Sequence, residues 1–325
     1  MPTSDIQEQL DKYLADAHSI EEQALIQMRL APRLAGSGPL AGAFRQHRTE
    51  TERHEQLVRE RIQARGATPS RFKDLVMKAG GAGFALFAKS QPDTPGKLVA
   101  HAYSYEHLEL ASYELLMRVA ERAGDQQTAE MAHTIRDEER AMAERLARSF
   151  DVAVAASLDA VKRDDLDSLL GSYLADAHAI ENQAIGLLKR ATDIGGDERM
   201  TSLYAEHLDE TMRQQEMVEE RLRAHGRGPS RFKDTAMKAG AINWGTFFTG
   251  QPDTPGKLAA FAYAFEHLEI GGYEQLLRVA ARAEDQETVT AVEQILGQER
   301  AAAEKLAGSF DHATELSLEA EGVPR

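Results

Sequence analysis

Apolar residues recur at helical spacing through most of the chain, and the stripes they form predict four helices in its first half. Leu10, Leu14, Ala17, Ala24 and Met28 share one stripe with Glu21 and predict a helix from Ser4 to Arg33. Gly36-Ser37-Gly38-Pro39 ends it. Leu40, Phe44, His47, Thr51, His54, Val58 and Ile62 predict a second helix, from Leu40 to Arg65, which Gly66 stops. A third starts after Asp93-Thr94-Pro95, with an acid or hydroxyl to cap it and proline in its first turn. It carries Ala102, Tyr113, Leu116 and Ala120 on one face and ends near Ala123-Gly124. Asp125 opens a fourth, with Ala132, Ile135, Glu139, Met142, Leu146 and Phe150 in line.

The same pattern then repeats. Pro69-Ser70-Arg71-Phe72-Lys73-Asp74 returns as Pro229-Ser230-Arg231-Phe232-Lys233-Asp234, and Gln91-Pro92-Asp93-Thr94 returns from Gln251, both at an offset of 160 (229 minus 69, 251 minus 91). A period this long is a copied domain, not a solenoid unit. Two domains are expected, 1–155 and 160–325, joined near 155–163. Short first and third connections make those helix pairs antiparallel neighbours, whereas the second connection, 66–94, is long enough to run the length of a bundle. The expected fold class is therefore all-α: two ferritin-like four-helix bundles, each with a long crossover between helices two and three. A short helix is expected within the crossover at 71–79, before a glycine-rich tail at 80–83.

Composition narrows the chemistry. With no cysteine, disulfides, thiolate catalysis and cysteine-ligated metal clusters are excluded. A net charge of −15 argues against a nucleic-acid binder, which carries a basic patch. The first residues lack a basic region followed by an apolar run, and the longest weakly polar stretch, 80–88, is too short to span a bilayer. A cytoplasmic protein with no membrane partner is expected.

The acids on the buried stripes carry the chemistry. Helix one brings Glu21, with His18 a turn before it; helix two brings His47 and Glu50; helix three Glu106 and Glu109; helix four Glu139. The second half repeats these as Glu181, His178, His207, Glu210, Glu266, Glu269 and Glu299, whereas Glu22, His54 and Glu138 become Asn182, Gln214 and Gln298. A buried, unpartnered carboxylate costs several kcal/mol. Four or five of them would consume most of a typical stability of roughly 5–15 kcal/mol. Iron or manganese ions would neutralise them, since carboxylate and imidazole ligands suit both. Di-iron carboxylate bundles build such sites from one Glu on each of two helices and a Glu-x-x-His on each of the others.

Glu106-His107-Leu108-Glu109-Leu110-Ala111-Ser112-Tyr113 resembles the third-helix signature of the YciE/YciF-type ferritin-like stress proteins. His47-Arg48-Thr49-Glu50-Thr51 is similar to their second-helix His-x-x-x-Thr pattern, and Glu138-Glu139 to their fourth-helix acid pair. The resemblance covers both halves, as a tandem duplication. It implies a ferritin-like bundle linked to bacterial stress responses, often dimeric, with a dinuclear iron or manganese site. The chain departs from ferritins and rubrerythrins on helix four, where Met142 and Ala302 stand in place of the histidine of Glu-x-x-His, and helix two has the reverse order, His47-x-x-Glu50.

The expected metal ligands are Glu21, His47, Glu50, Glu106, Glu109 and Glu139, with Glu181, His207, Glu210, Glu266, Glu269 and Glu299 in the second half. The second half is the one expected to have lost metal if either has. Metal ions are the expected partners, with ferroxidase or peroxide chemistry as a consequence. The two bundles are expected to form an internal pseudo-dimer, with further homo-oligomers open. Two alternatives remain: a structural or interaction protein with a vestigial site, and a di-iron oxygenase whose pocket Phe84 and Phe87, or Trp244 and Phe247, would roof. His18 is read as an ion-pair partner for an acid, and Tyr13, Tyr103 and Tyr113 as packing residues with locally satisfied hydroxyls.

Overall fold

A computed structural model describes residues 5–36, 38–67, 94–159, 161–229 and 254–324. Among them are ten α-helices, one short 3-10 turn and no strand. In the first repeat these are α1 (Ile6–Leu34), α2 (Pro39–Ala64), α3 (Thr94–Arg122), α4 (Gln126–Ala147) and α5 (Phe150–Leu158). The second has α6 (Leu166–Ile194), α7 (Glu198–Ala224), α8 (Thr254–Arg282), α9 (Gln286–Ala307) and α10 (Phe310–Ala320). The expectations for 71–79, 80–83, Phe84, Phe87, Trp244 and Phe247 lie outside the described residues.

Local chemistry sets the helix ends. The Asp5 carboxylate accepts from Gln7 N–H (3.1 Å) at the start of α1, and Asp125 does the same for Thr128 N–H (3.1 Å) at the start of α4. Pro39 opens α2, where its missing N–H would have had no helical partner. Gly124 turns the chain between α3 and α4 at φ 70°; Glu284, its counterpart between α8 and α9, does so at φ 61° despite its side chain. Helix four does not run on through Phe150 as its stripe predicts. Ser149 N–H bonds to Leu146 O (2.8 Å), tightening the last turn, and Ser149 O accepts from Ala153 N–H (2.9 Å) to start α5. Each repeat thus has a short fifth helix beyond the expected four.

Contacts divide the chain into two units, one of Leu158–Ser317 and one that runs to Ser157 and takes in the chain from Leu318 onward. In the first unit Lys12 pairs with Glu321 (3.2 Å), and Arg122 donates to Pro324 O (2.9 Å).

The topology of the first bundle can be read from one end. Gln7 and Asp11 of α1, Arg61 of α2 and Arg65 just after it, and Asp125 between α3 and α4 meet there. Arg65 Nε bonds to Asp11 (2.6 Å), both arginines bond to Asp125, and Gln7 donates to Ala123 O (2.9 Å). The start of α1 therefore lies beside the ends of α2 and α3 and the start of α4. Helices α1 and α2 are antiparallel, as are α3 and α4, while α2 and α3 run parallel. The α2–α3 connection joins opposite ends of the bundle, which is the ferritin-like arrangement. In the second unit Asp167, Arg221, His225 and Asp285 repeat this end.

Toward the other end an apolar layer packs Met28, Phe44, Leu98, Met142 and Phe150 together. Leu10, Leu14, Val58, Ile62, Leu116 and Ile135 are also buried, on the N-terminal halves of α1 and α4 and the C-terminal halves of α2 and α3. The acids lie between these layers. Among the described residues, no helix is long and apolar enough to cross a membrane.

Candidate metal centre

Helix α2 faces the bundle with His47 and His54, seven residues and so about two turns apart. Thr51 lies between them, and its hydroxyl donates to His47 O (2.9 Å). Threonine is short, and that bond turns its hydroxyl to its own backbone, which leaves room for the acids of the other helices. Thr211 does the same beneath His207 (2.9 Å).

In the first repeat His47, Glu106, Glu109 and Glu139 each bring one nitrogen or oxygen into a group within 4.8 Å of one another, and Glu21, His54 and Glu139 form a second such group. All six residues are at most 1% exposed. His47 Nε2 lies 3.1 Å from Glu106 Oε2 and 3.5 Å from Glu139 Oε2. His54 Nδ1 lies 2.7 Å from Glu139 Oε1 and 3.9 Å from Glu21 Oε1. Adjacent ligands of an octahedral ion bound at about 2.1 Å are about 3 Å apart, the scale of these contacts. Yet beyond these contacts with one another, His47 Nε2, His54 Nδ1, both oxygens of Glu106 and Glu139, Glu109 Oε1 and Glu21 Oε2 have no hydrogen-bond partner. Buried polar atoms are nearly always hydrogen-bonded, so this many converging with no partners outside their own group call for a ligand.

The outward sides of the histidines are fixed. His47 Nδ1 meets Glu50 Oε2 (3.3 Å), and His54 Nε2 meets Glu138 Oε2 (2.6 Å), which Arg53 also holds. Glu50 therefore stands outside the converging group, on the far side of His47. Tyr113, read as packing with a locally satisfied hydroxyl, instead reaches across to α1 and donates to Glu21 Oε1 (2.5 Å). His18 pairs with Glu55 (3.0 Å), to which Arg59 also bonds.

Electrostatics follows from burial. Burial pushes Glu109 well above the usual carboxylate range, and Glu139, Glu21 and Glu106 add to the rise. Burial raises Glu21 to about 8 against the pull of His54, and Glu139 to about 7 against His47 and His54. Burial opposes charge on His47, but Glu106 and Glu139 outweigh it and hold that imidazole well above its ordinary value. His54 rises to about 9, burial being outweighed by Glu139 and Glu21. Burial thus disfavours charge on these carboxylates unless a cation shares the site with them.

The second repeat gathers His207, Glu266, Glu269 and Glu299 within 4.8 Å of one another. His207 Nε2 lies 2.8 Å from Glu266 Oε2 and 3.9 Å from Glu299 Oε2. Burial raises Glu269 and Glu299 well above the usual range and Glu181 to about 8, with Tyr273 donating to Glu181. Glu210 stands outside the group, 3.6 Å from His207 Nδ1. A small cavity beside His207 is lined by Tyr204, Glu210, Ala302 and Lys305.

Carboxylate oxygens with imidazole nitrogen and no thiolate make a donor set for iron, manganese or zinc rather than for soft ions. Fold and site together define a duplicated ferritin-like bundle protein with a buried His/Glu group in each repeat that could hold a metal ion. The chain belongs to the family described as "Domain of unknown function (DUF892)", whose model matches it twice, over residues 5–158 and 165–319.

Proposed function

We propose that each repeat binds a divalent transition ion, iron or manganese, in its bundle core, and that this ion is the working part of a stress-related protein of the YciE/YciF type. The ligands are His47, Glu106, Glu109 and Glu139 in the first repeat and His207, Glu266, Glu269 and Glu299 in the second. The observation that carries this reading is the set of buried nitrogen and oxygen atoms that converge in both repeats with no partners outside their own group.

The chain's own residues prepare the site. Glu50, accepting from His47 Nδ1, fixes the tautomer that turns the Nε2 lone pair toward the carboxylates. Tyr113 orients Glu21 in the same way. The apolar layers above and below keep bulk water from competing. Iron or manganese held here would supply one-electron redox chemistry toward dioxygen or a peroxide, the basis of a ferroxidase or peroxide-removing role.

Elemental analysis of the full chain, expressed without an affinity-tag metal and with iron and manganese supplied, tests the reading. The parent should carry transition metal, and a Glu109→Ala/Glu269→Ala variant should lose it. A parent without bound metal overturns the proposal and favours an interaction protein that keeps only the bundle.

A further inference from the structure

Resting on that metal reading, we infer that the two repeats differ in capacity: the first holds a pair of ions bridged by Glu139, and the second holds one. In the first repeat the two oxygens of Glu139 face different histidines, Oε2 toward His47 (3.5 Å) and Oε1 toward His54 (2.7 Å). One carboxylate with an imidazole on each side is a bridge between two positions. Glu21 completes the second position, and Glu138 on His54 Nε2 turns the Nδ1 lone pair inward.

The second repeat has lost both parts of that device together. Gln214 stands at the His54 position and Gln298 at the Glu138 position, and the two side chains bond to each other, Gln214 Nε2 donating to Gln298 Oε1 (3.2 Å). An amide nitrogen has no lone pair to give a metal. Gln214 is fully buried, and its Oε1, which makes no hydrogen bond, is a neutral and weak ligand. Among the described residues, no second group forms around Glu181 and Glu299, whereas the group at His207 is retained. The remaining acids, Glu181 and Glu299, thus lack the nitrogen that anchors the second ion in the first repeat. Nothing comparable is missing at His207, so the loss is of one position and not of the whole site.

Metal per chain at saturating manganese, after removal of free ion, separates the cases. The parent should bind about three ions, a His54→Gln/Glu138→Gln variant about two, and a Gln214→His/Gln298→Glu variant about four. Each substitution installs residues that the other repeat already carries at that position, so the fold accommodates them. Circular dichroism melts confirm that it does. Electron paramagnetic resonance gives a readout independent of activity: the signal of spin-coupled manganese should vanish in the first variant and roughly double in the second. Equal loading of the repeats in the parent, or stoichiometry that neither variant changes, overturns the inference while leaving metal binding intact. A parent that binds no metal overturns the underlying reading instead.

Discussion

Replacing Glu21 with glutamine should stabilise the metal-free protein and weaken its hold on metal. Glu21 is fully buried, and its folded carboxyl is raised to about 8 from an ordinary 4.5, mainly by burial. A group with a raised folded pKa contributes stability that is whole below the unfolded value and is lost as pH climbs toward the folded one. At pH 7 the folded chain holds a proton here that the unfolded chain has released. Each pH unit above 4.5 costs about 1.4 kcal/mol, so the penalty is about 3 kcal/mol at pH 7 and below about 1 kcal/mol at pH 5. Glutamine has nearly the same shape, accepts the Tyr113 hydrogen bond and titrates nowhere in this range. The first repeat's melting temperature should therefore rise by roughly 6–12 °C at pH 7 in chelator, with a much smaller gain at pH 5. Metal at about a thousand times its dissociation constant should reverse the order, since an ion held by the parent and lost by the variant then stabilises the parent by about 4.1 kcal/mol. Thermal melts of the full chain at both pH values, with and without chelator, make the comparison. A glutamine variant no more stable than the parent at pH 7, or a gain that does not grow with pH, refutes the reasoning.

Metal affinity should rise from pH 6 to pH 8, because Glu139 near 7 and Glu21 near 8 must give up protons to bind an ion; titration calorimetry in buffers of different ionisation enthalpy should show proton release. Glu284→Gly should stabilise the second repeat by about 1 kcal/mol, since Glu284 holds φ 61° where the first repeat has Gly124, and its exposed pair with Arg163 offers little in return; urea melts check this. Asp125→Ala should cost the first repeat about 2–3 kcal/mol, removing the α4 cap together with the acceptor of Arg61 and Arg65. Asp125→Asn, which keeps the cap, should lose less in the same denaturation assay.

The bundle was legible in the sequence because its signals are local: long stripes at helical spacing, capping acids, Pro39 and the glycines, and one connection too long for a hairpin. The fifth helix of each repeat was not legible, since Phe150 continues the stripe of α4 and only backbone bonding at Ser149 shows the break. The return of the chain from Leu318 onward to the first unit also leaves no local mark. In the site, Glu106, Glu109 and Glu139 could be placed because they stand on buried stripes and recur in both copies. His54 could not, because the second copy has Gln214 in its place. Glu50 misled in the opposite way. It recurs as Glu210 and sits three residues after a histidine, but that spacing places it behind the imidazole, not in front.

Comparing the two copies therefore answers a narrower question than whether a residue works. Agreement between His47 and His207, or Glu109 and Glu269, marks what both repeats use. Disagreement at His54 and Gln214 would mean indifference only if nothing else changed with it. Here Glu138, which bonds to His54, changes to Gln298, which bonds to Gln214. Replacing a buried histidine and its acid by two amides that bond to each other exchanges one hydrogen-bonded pair for another, although Gln214 Oε1 is left without a bond. It removes a charge and an imidazole from the bundle without leaving the partner stranded, which would otherwise cost about 1–3 kcal/mol or more. The second repeat thus keeps a packed core at that position while giving up a place for an ion. The first keeps two imidazoles facing the two oxygens of one carboxylate, Glu139, which is the arrangement the proposed pair of ions would use.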